Sequence, residues 1–379
     1  MLRSDDRILT THVGSLPRNA VLTDLLIRGE AGEAIDKAEL RRQGESAVRY
    51  VVEKQVASGI DIVNDGEQPR VGFQTYVAQR MQGFGGESKR PRPRDYTDFP
   101  TLLAQLPHRY PRRAKVSNAP QAIAEVRYED LAPAEDECRM FRSALGTLPS
   151  PPLGTFMTAA SPGIIATTLL NAHYDSHEAY VFALARQMRK EYEVIARDFI
   201  LQIDAPDLAL ERTTLFQDKT VAEFVKIAEM HVAALNEALA GIPRERIRLH
   251  CCWGNNEAPH THDIPMREIL PVLYSAKVGA LSIAFAPSLG AGSHTAIVAE
   301  GLGIPAIVGV GPFLGEVSGG DMVIIDAERG ELILRPDEET IAHYRHAQED
   351  RRNQSERLDK LRDLPAITAD GQEIQLWAN

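Results

Sequence analysis

Ile247-Arg248-Leu249-His250-Cys251-Cys252-Trp253-Gly254 is the stretch that decides how this chain folds. Ile247 to His250 reads as a short buried strand, with polar and metal-ligating side chains gathered where it ends. Alternation along a strand puts His250 and Cys252 on one face and Leu249 and Cys251 on the other. An imidazole and a thiol therefore stand side by side. Upstream, a helix carrying Phe224 and Ile227 ends near Gly241-Ile242-Pro243 and leads into this strand. The same unit recurs further out. Leu184, Met188, Tyr192, Ile195 and Phe199 stripe a helix that runs into Leu201-Gln202-Ile203-Asp204. Val48, Val51, Val52 and Val56 precede a stop at Gly59 and the strand Ile60-Asp61-Ile62-Val63. Such alternation predicts βα units, a parallel sheet and a site at the strands' C-terminal ends, the plan of a (β/α)8 TIM-type barrel.

Bulk properties narrow the function classes. The 379 residues suffice for one large domain with a small one, or two of medium size, and 44% hydrophobic with 25% charged residues is ordinary for a soluble protein. A formal net charge of -11 argues against nucleic acid or an anionic membrane as partner. No apolar run of about 18 residues occurs, and the polar start MLRSDDRILTTHV is unlike a signal peptide, so the cytoplasm is expected. Cys138, Cys251 and Cys252 make a poor disulfide set and suit thiol or thiolate roles. Lys89-Arg90-Pro91-Arg92-Pro93-Arg94 reads as a basic surface loop, and residues 337–363 as a charged, solvated helix with pairs such as Glu356 and Lys360.

Four strand-end motifs stand out: Thr11-His12-Val13-Gly14-Ser15-Leu16-Pro17-Arg18, Asp65-Gly66-Glu67, Gln202-Ile203-Asp204-Ala205-Pro206-Asp207 and His250-Cys251-Cys252-Trp253-Gly254. In order and spacing they resemble the catalytic barrel of cobalamin-independent methionine synthase. They resemble still more its short single-barrel relatives, which include epoxyalkane:coenzyme M transferase. The resemblance covers roughly residues 7–283 and implies methyl or alkyl transfer from a donor to a small thiol, with zinc as cofactor. A thiol is mostly protonated at neutral pH, and zinc can bind it and strip its proton. His250 and Cys252 would then be metal ligands, Gly14 and Ser15 would hold the acceptor, and Glu67 and Asp204 would fix its polar end, an amino group in the methionine synthase case. His12 reads as a structural hydrogen-bonding residue.

The family's pattern breaks after Cys252. Its remaining zinc ligands are a glutamate in the next strand and a cysteine in the last. The next strand here, Val278-Gly279-Ala280-Leu281-Ser282-Ile283-Ala284, offers Ala284 at the glutamate's place, and no cysteine follows Cys252. Zinc prefers four ligands, or three with an open position, so transfer is expected to be impaired. Cys251, Glu257, His260 and His262 are candidate substitutes; Cys251 points away, and His260-Thr261-His262 otherwise reads as a polar loop.

From about Ala284 the text changes. Gly292-Ser293-His294-Thr295-Ala296-Ile297-Val298-Ala299 and Leu302-Gly303-Ile304-Pro305-Ala306-Ile307-Val308-Gly309 resemble the phosphohistidine domain of enzyme I of the phosphoenolpyruvate:sugar phosphotransferase system. The likeness runs through Asp321–Asp326 and the charged helix to Asn379. It implies His294 as phosphoryl acceptor at a helix start, with Thr295 adding a hydroxyl and a phosphotransferase protein as partner. Gly292 replaces the family's threonine, and Glu300 stands where it has arginine.

The expected organisation is a truncated barrel over 1–283, a phosphohistidine-domain fragment over 284–336, a linker helix over 337–363 and, over 364–379, the opening strand of an absent phosphoenolpyruvate-binding barrel. The chain looks like a chimera. Residues 304–308 are expected to fill the vacant last place of the barrel, an open seven-stranded sheet being the alternative. Alkyl transfer, phosphoryl transfer through His294 and a catalytically inactive fusion are the three readings this leaves.

Overall fold

Several of the helices that alternate with the strands begin where a short polar side chain caps the backbone ahead of the apolar stripe. Asp36 accepts hydrogen bonds from the backbone N–H groups of Ala38 and Glu39 at the head of the helix Lys37–Ala57. Ser176 does so through Ala179 N for His177–Asp198, and Thr220 with Glu223 forms a reciprocal capping box for Val221–Ala238. The computed structural model describes residues 7, 9–101, 103–104, 118–254, 260–284, 322–326 and 331–359. By packing the chain divides into two units, Met1–Gly292 and Ser293–Asn379.

In the first unit β1 (Ile62–Val63), β4 (Gly154–Ala160), β5 (Ile200–Asp204), β6 (Ile247–Cys251) and β7 (Ala280–Ile283) form one parallel sheet in that order. A parallel bridge from Thr11 to Ile62 adds a further strand position at the β1 edge. The hairpin of β2 (Gln82–Gly85) and β3 (Gln121–Arg127) is a separate antiparallel pair. The strands β1, β5, β6 and β7 coincide with the apolar runs read from the sequence; β4 and the hairpin were not among them.

Register fixes what meets what. Thr158, Gln202 and Arg248 lie abreast on β4, β5 and β6, and one layer further along Asp204 stands beside His250, which stands beside Ser282. Leu201, Ile203, Leu249 and Cys251 take the alternate positions and belong to the buried core, as parallel strands covered by helices require. The sheet is curled and open, so a complete (β/α)8 barrel is not what the described residues form. They give neither eight nor seven strand positions, and residues 304–308, expected to close the barrel, lie outside them.

The second unit, taken by itself, contains the antiparallel hairpin of β8 (Val323–Asp326) and β9 (Glu331–Leu334), then the helix Glu338–Asp359. Asp337 accepts a hydrogen bond from Thr340 N at the helix start, and Tyr344 donates to Asp326. His294, Thr295 and Gly292 lie outside the described residues. No described helix is long and apolar enough to cross a membrane.

Candidate functional site

Glu67 enters the sheet's interior on a left-handed backbone (φ 53°) just after β1. Arg18 and the Arg70 backbone N–H both donate to its carbonyl. Its carboxylate is 1% exposed, with Oε1 accepting from the Thr158 hydroxyl at 2.8 Å and Oε2 buried without a hydrogen-bond partner. Gly14 is a glycine for lack of space: a Cβ there would sit 2.8 Å from both Glu67 Oε1 and Thr158 Cγ2. Ser15 is exposed beside it.

Asp204 ends β5 and is 6% exposed. Gln202 donates through Nε2 to Asp204 Oδ1 (2.7 Å) and to the Val13 carbonyl, while its Oε1 accepts from Arg248 Nε (2.7 Å). Burial, and then the negative charge of Glu67, push the Asp204 carboxyl well above its ordinary range. Burial pushes neighbouring Asp65 up to about 6. The sequence-expected Gly14, Glu67 and Asp204 are thus brought together, and the interior carries two carboxylates that resist ionising together.

This arrangement has a consequence for stability. A carboxyl whose folded pKa is raised keeps its proton where the unfolded chain has lost it. Its contribution therefore falls as pH rises from about 4, the unfolded value, through the folded value. Asp204→Asn, neutral at every pH, is expected to be more stable than the parent at neutral pH, the gap closing toward about pH 4. Urea midpoints measured across that range check this; a constant gap would contradict it.

On β6, His250 is 5% exposed and its Nδ1 lies 3.1 Å from the Ser282 carbonyl. A carbonyl only accepts, so Nδ1 carries a proton there. Metal-binding histidines commonly donate to such a carbonyl. Cys252 follows, half-buried, its thiol pushed up to about 11 chiefly by burial. Ala284 donates its backbone N–H to the Cys251 carbonyl just beyond β7, and its side chain ligates nothing. Cys251 lies in the core on the opposite face.

The substitute ligands disperse. His260 pairs with Asp263, His262 with Asp98 across the strand-end loops, and Glu257 lies outside the described residues. Among the described residues no group of three or more His, Cys, Asp or Glu side chains is arranged to hold a metal ion. The described donors, His250 and Cys252, do not by themselves fit zinc.

Several participants were not legible in the sequence. Thr158 and Arg70 hold Glu67. His12 bonds Gln55, as a structural residue would. Of the expected surface loop 89–94, Arg90 turns inward to an ion pair with fully buried Glu211, so that expectation is corrected there: a buried carboxylate demands its cation. Asp95 accepts from Thr261 at 2.6 Å, which lays this strap across the loops following β5 and β6.

The strands and helices of the first unit define an α/β fold with a parallel sheet and polar residues gathered at its strand ends. The solved B12-independent methionine synthase from Shewanella sp. W3-18-1, in complex with selenomethionine, superposes with a TM-score of 0.52 over 74% of this chain and 74% of that one. At 20% identity the likeness is one of fold.

The other end has different kin. Residues 287–330 match the family model of the PEP-utilising enzyme mobile domain. Over 87 residues, 23% of the chain, it is 39% identical to the phosphoenolpyruvate-protein phosphotransferase of Staphylococcus carnosus and 46% identical to that of Cupriavidus necator. It spans only 15% of the length of each. The methionine synthase resemblance of the front motifs is thus met in fold, and the enzyme I resemblance of the rear motifs in sequence.

Proposed function

We propose that the first unit binds the ammonium end of a small substrate between Glu67 and Asp204, in a fold of thiol-alkyltransferase descent, and that transfer itself is impaired. The observation that carries this reading is the buried Glu67 carboxylate with an unpartnered oxygen beside a second buried carboxyl. An uncompensated buried acceptor is costly unless a ligand supplies the missing donor, and an ammonium brings three donors and a charge. Selenomethionine, present in the related structure, carries such a group. In the ancestral reaction a small thiol loses its proton, and its sulfur bonds to a methyl or alkyl carbon as that carbon's bond to the donor breaks. His250 and Cys252 are two of the donors that metal activation of a thiol would need; with Ala284 at a third position the set is incomplete, and for that reason the impairment falls on thiol activation.

Calorimetric titration with selenomethionine tests the binding half: measurable affinity, lowered at least about tenfold in Glu67→Gln, is expected, and equal affinity in the variant would overturn it. A thiol-alkylation assay tests the other half. Turnover at an ordinary enzymatic rate, about 1 per second or faster, would sink the claim of impairment.

A second reading is favoured by a separate observation, the family match across His294. In it His294 accepts a phosphoryl group from a phosphotransferase protein, the N–P bond forming as the donor's P–N bond breaks. Acid-labile label from phosphoenolpyruvate and a complete enzyme I, absent in His294→Ala, is expected under this reading. If neither chemistry appears, the chain is an inactive fusion.

A further inference from the structure

We infer that Thr158, held by Arg70, is a positioning residue that decides which oxygen of Glu67 faces the interior. This rests on the ammonium reading for its purpose, not for its geometry. The Thr158 hydroxyl has one proton to give, and it goes to Glu67 Oε1. Its direction is set from behind: Arg70 Nη1 donates to Thr158 Oγ1 at 3.2 Å and to the Thr158 carbonyl at 2.9 Å. With an acceptor site of the hydroxyl taken by a cation, its proton is turned toward the carboxylate.

Arg70 is itself immobile. Its Nε and Nη2 both donate to Glu137 Oε2, at 3.0 and 2.9 Å, and its guanidinium lies 4.5 Å from the centre of the Tyr76 ring. Glu137, 4% exposed, also holds Arg80. On the other side the Gly14 backbone closes against Oε1 and Thr158, so this oxygen is enclosed while Oε2 remains without a partner. A plain structural ion pair would need Arg70 and Glu137 only. The guanidinium also spends Nη1 on both oxygens of Thr158, which ties the pair to the site.

The test reads the Glu67 carboxyl itself, by carbon NMR of labelled glutamate in the full chain. It is done in an Asp204→Asn background, which removes the coupled carboxyl and leaves Asp65, Arg18 and His12 as the titratable or charged groups beside Glu67, with Glu67→Gln assigning the signal. A hydrogen bond to the ionised form lowers a carboxyl's pKa, so Thr158→Val is expected to raise the Glu67 midpoint by about one unit. Thr158→Ser, which keeps the hydroxyl, should restore it. Arg70→Lys, which keeps the charge without the planar fork, should shift it in the same direction as valine and serves if Thr158→Val does not fold. Identical midpoints in parent, valine and lysine variants would overturn the inference. Selenomethionine affinity separates the two claims. If the midpoint moves but the parent binds no selenomethionine, Thr158 is a positioning residue and the ammonium reading fails. If the parent binds and the midpoint stays put, the ammonium reading stands and this inference falls.

Discussion

Glu191→Ala is expected to destabilise the first unit by about 3–5 kcal/mol, the range for removing one partner of a buried ion pair. Glu191 is fully buried in the helix His177–Asp198 and serves three donors: the hydroxyls of Tyr76 and Tyr128, and Arg80 Nη1 at 3.1 Å. Arg80 also pairs with Glu137, which pairs with Arg70, and the Arg80 and Arg70 guanidiniums lie 4.4 and 4.5 Å from the centre of the Tyr76 ring. Two arginines thus balance two glutamates, and burial with the Glu191 charge holds both phenols well above their ordinary range, as neutral donors. Alanine would leave two hydroxyls without an acceptor and one guanidinium half-compensated. Glu191→Gln keeps an acceptor and should lose less. Urea midpoints with an unchanged slope would register the difference. A loss under about 1 kcal/mol, typical of exposed pairs, would mean that the cluster is not closed in this way.

Gly163→Ala is the second large effect, and its sign separates two physical terms. Gly163 lies inside the helix Pro162–Thr168, where alanine would ordinarily gain about 1 kcal/mol from helix propensity. Here a Cβ would overlap Asp207 Oδ2 and lie 2.5 Å from His231 Nδ1. Those two groups are bonded at 2.8 Å, Ser161 donates to Asp207 at 2.6 Å, and His231 meets His177 at 2.9 Å. All but His177 are buried, so nothing can swing aside cheaply. Overpacking costs about 1–3 kcal/mol and more when rigid groups are struck, so a net loss of about 2 kcal/mol or more is expected. A raised thermal midpoint in Gly163→Ala would show that propensity wins and that the chain of hydrogen bonds yields.

The strand ends were legible because each pairs a short apolar run with a polar terminus, as Leu201-Gln202-Ile203-Asp204 and Ile247-Arg248-Leu249-His250 do. Glu67, Asp204 and Gly14 were grouped by the family resemblance that these strand-end motifs carry. β4 escaped notice because Gly154-Thr155-Phe156-Met157-Thr158-Ala159-Ala160 mixes small and polar residues without a clear period. With it went Thr158, the residue that orders Glu67. Arg70 and Glu137 are 67 residues apart, and Tyr76 and Glu191 are 115 apart. No local pattern joins such partners; only the fold does. The inward turn of Arg90 is of the same kind, since a loop rich in arginine and proline reads as solvated until a buried acid such as Glu211 is placed beneath it.

Zinc content tests most directly the claim that this unit keeps the acceptor's carboxylate pocket without a complete metal site. The purified full chain, repleted with zinc and freed of excess, would be measured beside His250→Ala and Cys252→Ala. Zinc well below one per chain, unchanged in both variants, is the predicted result. One zinc per chain, lost in each variant, would contradict it and would mean that other side chains complete the site around His250 and Cys252.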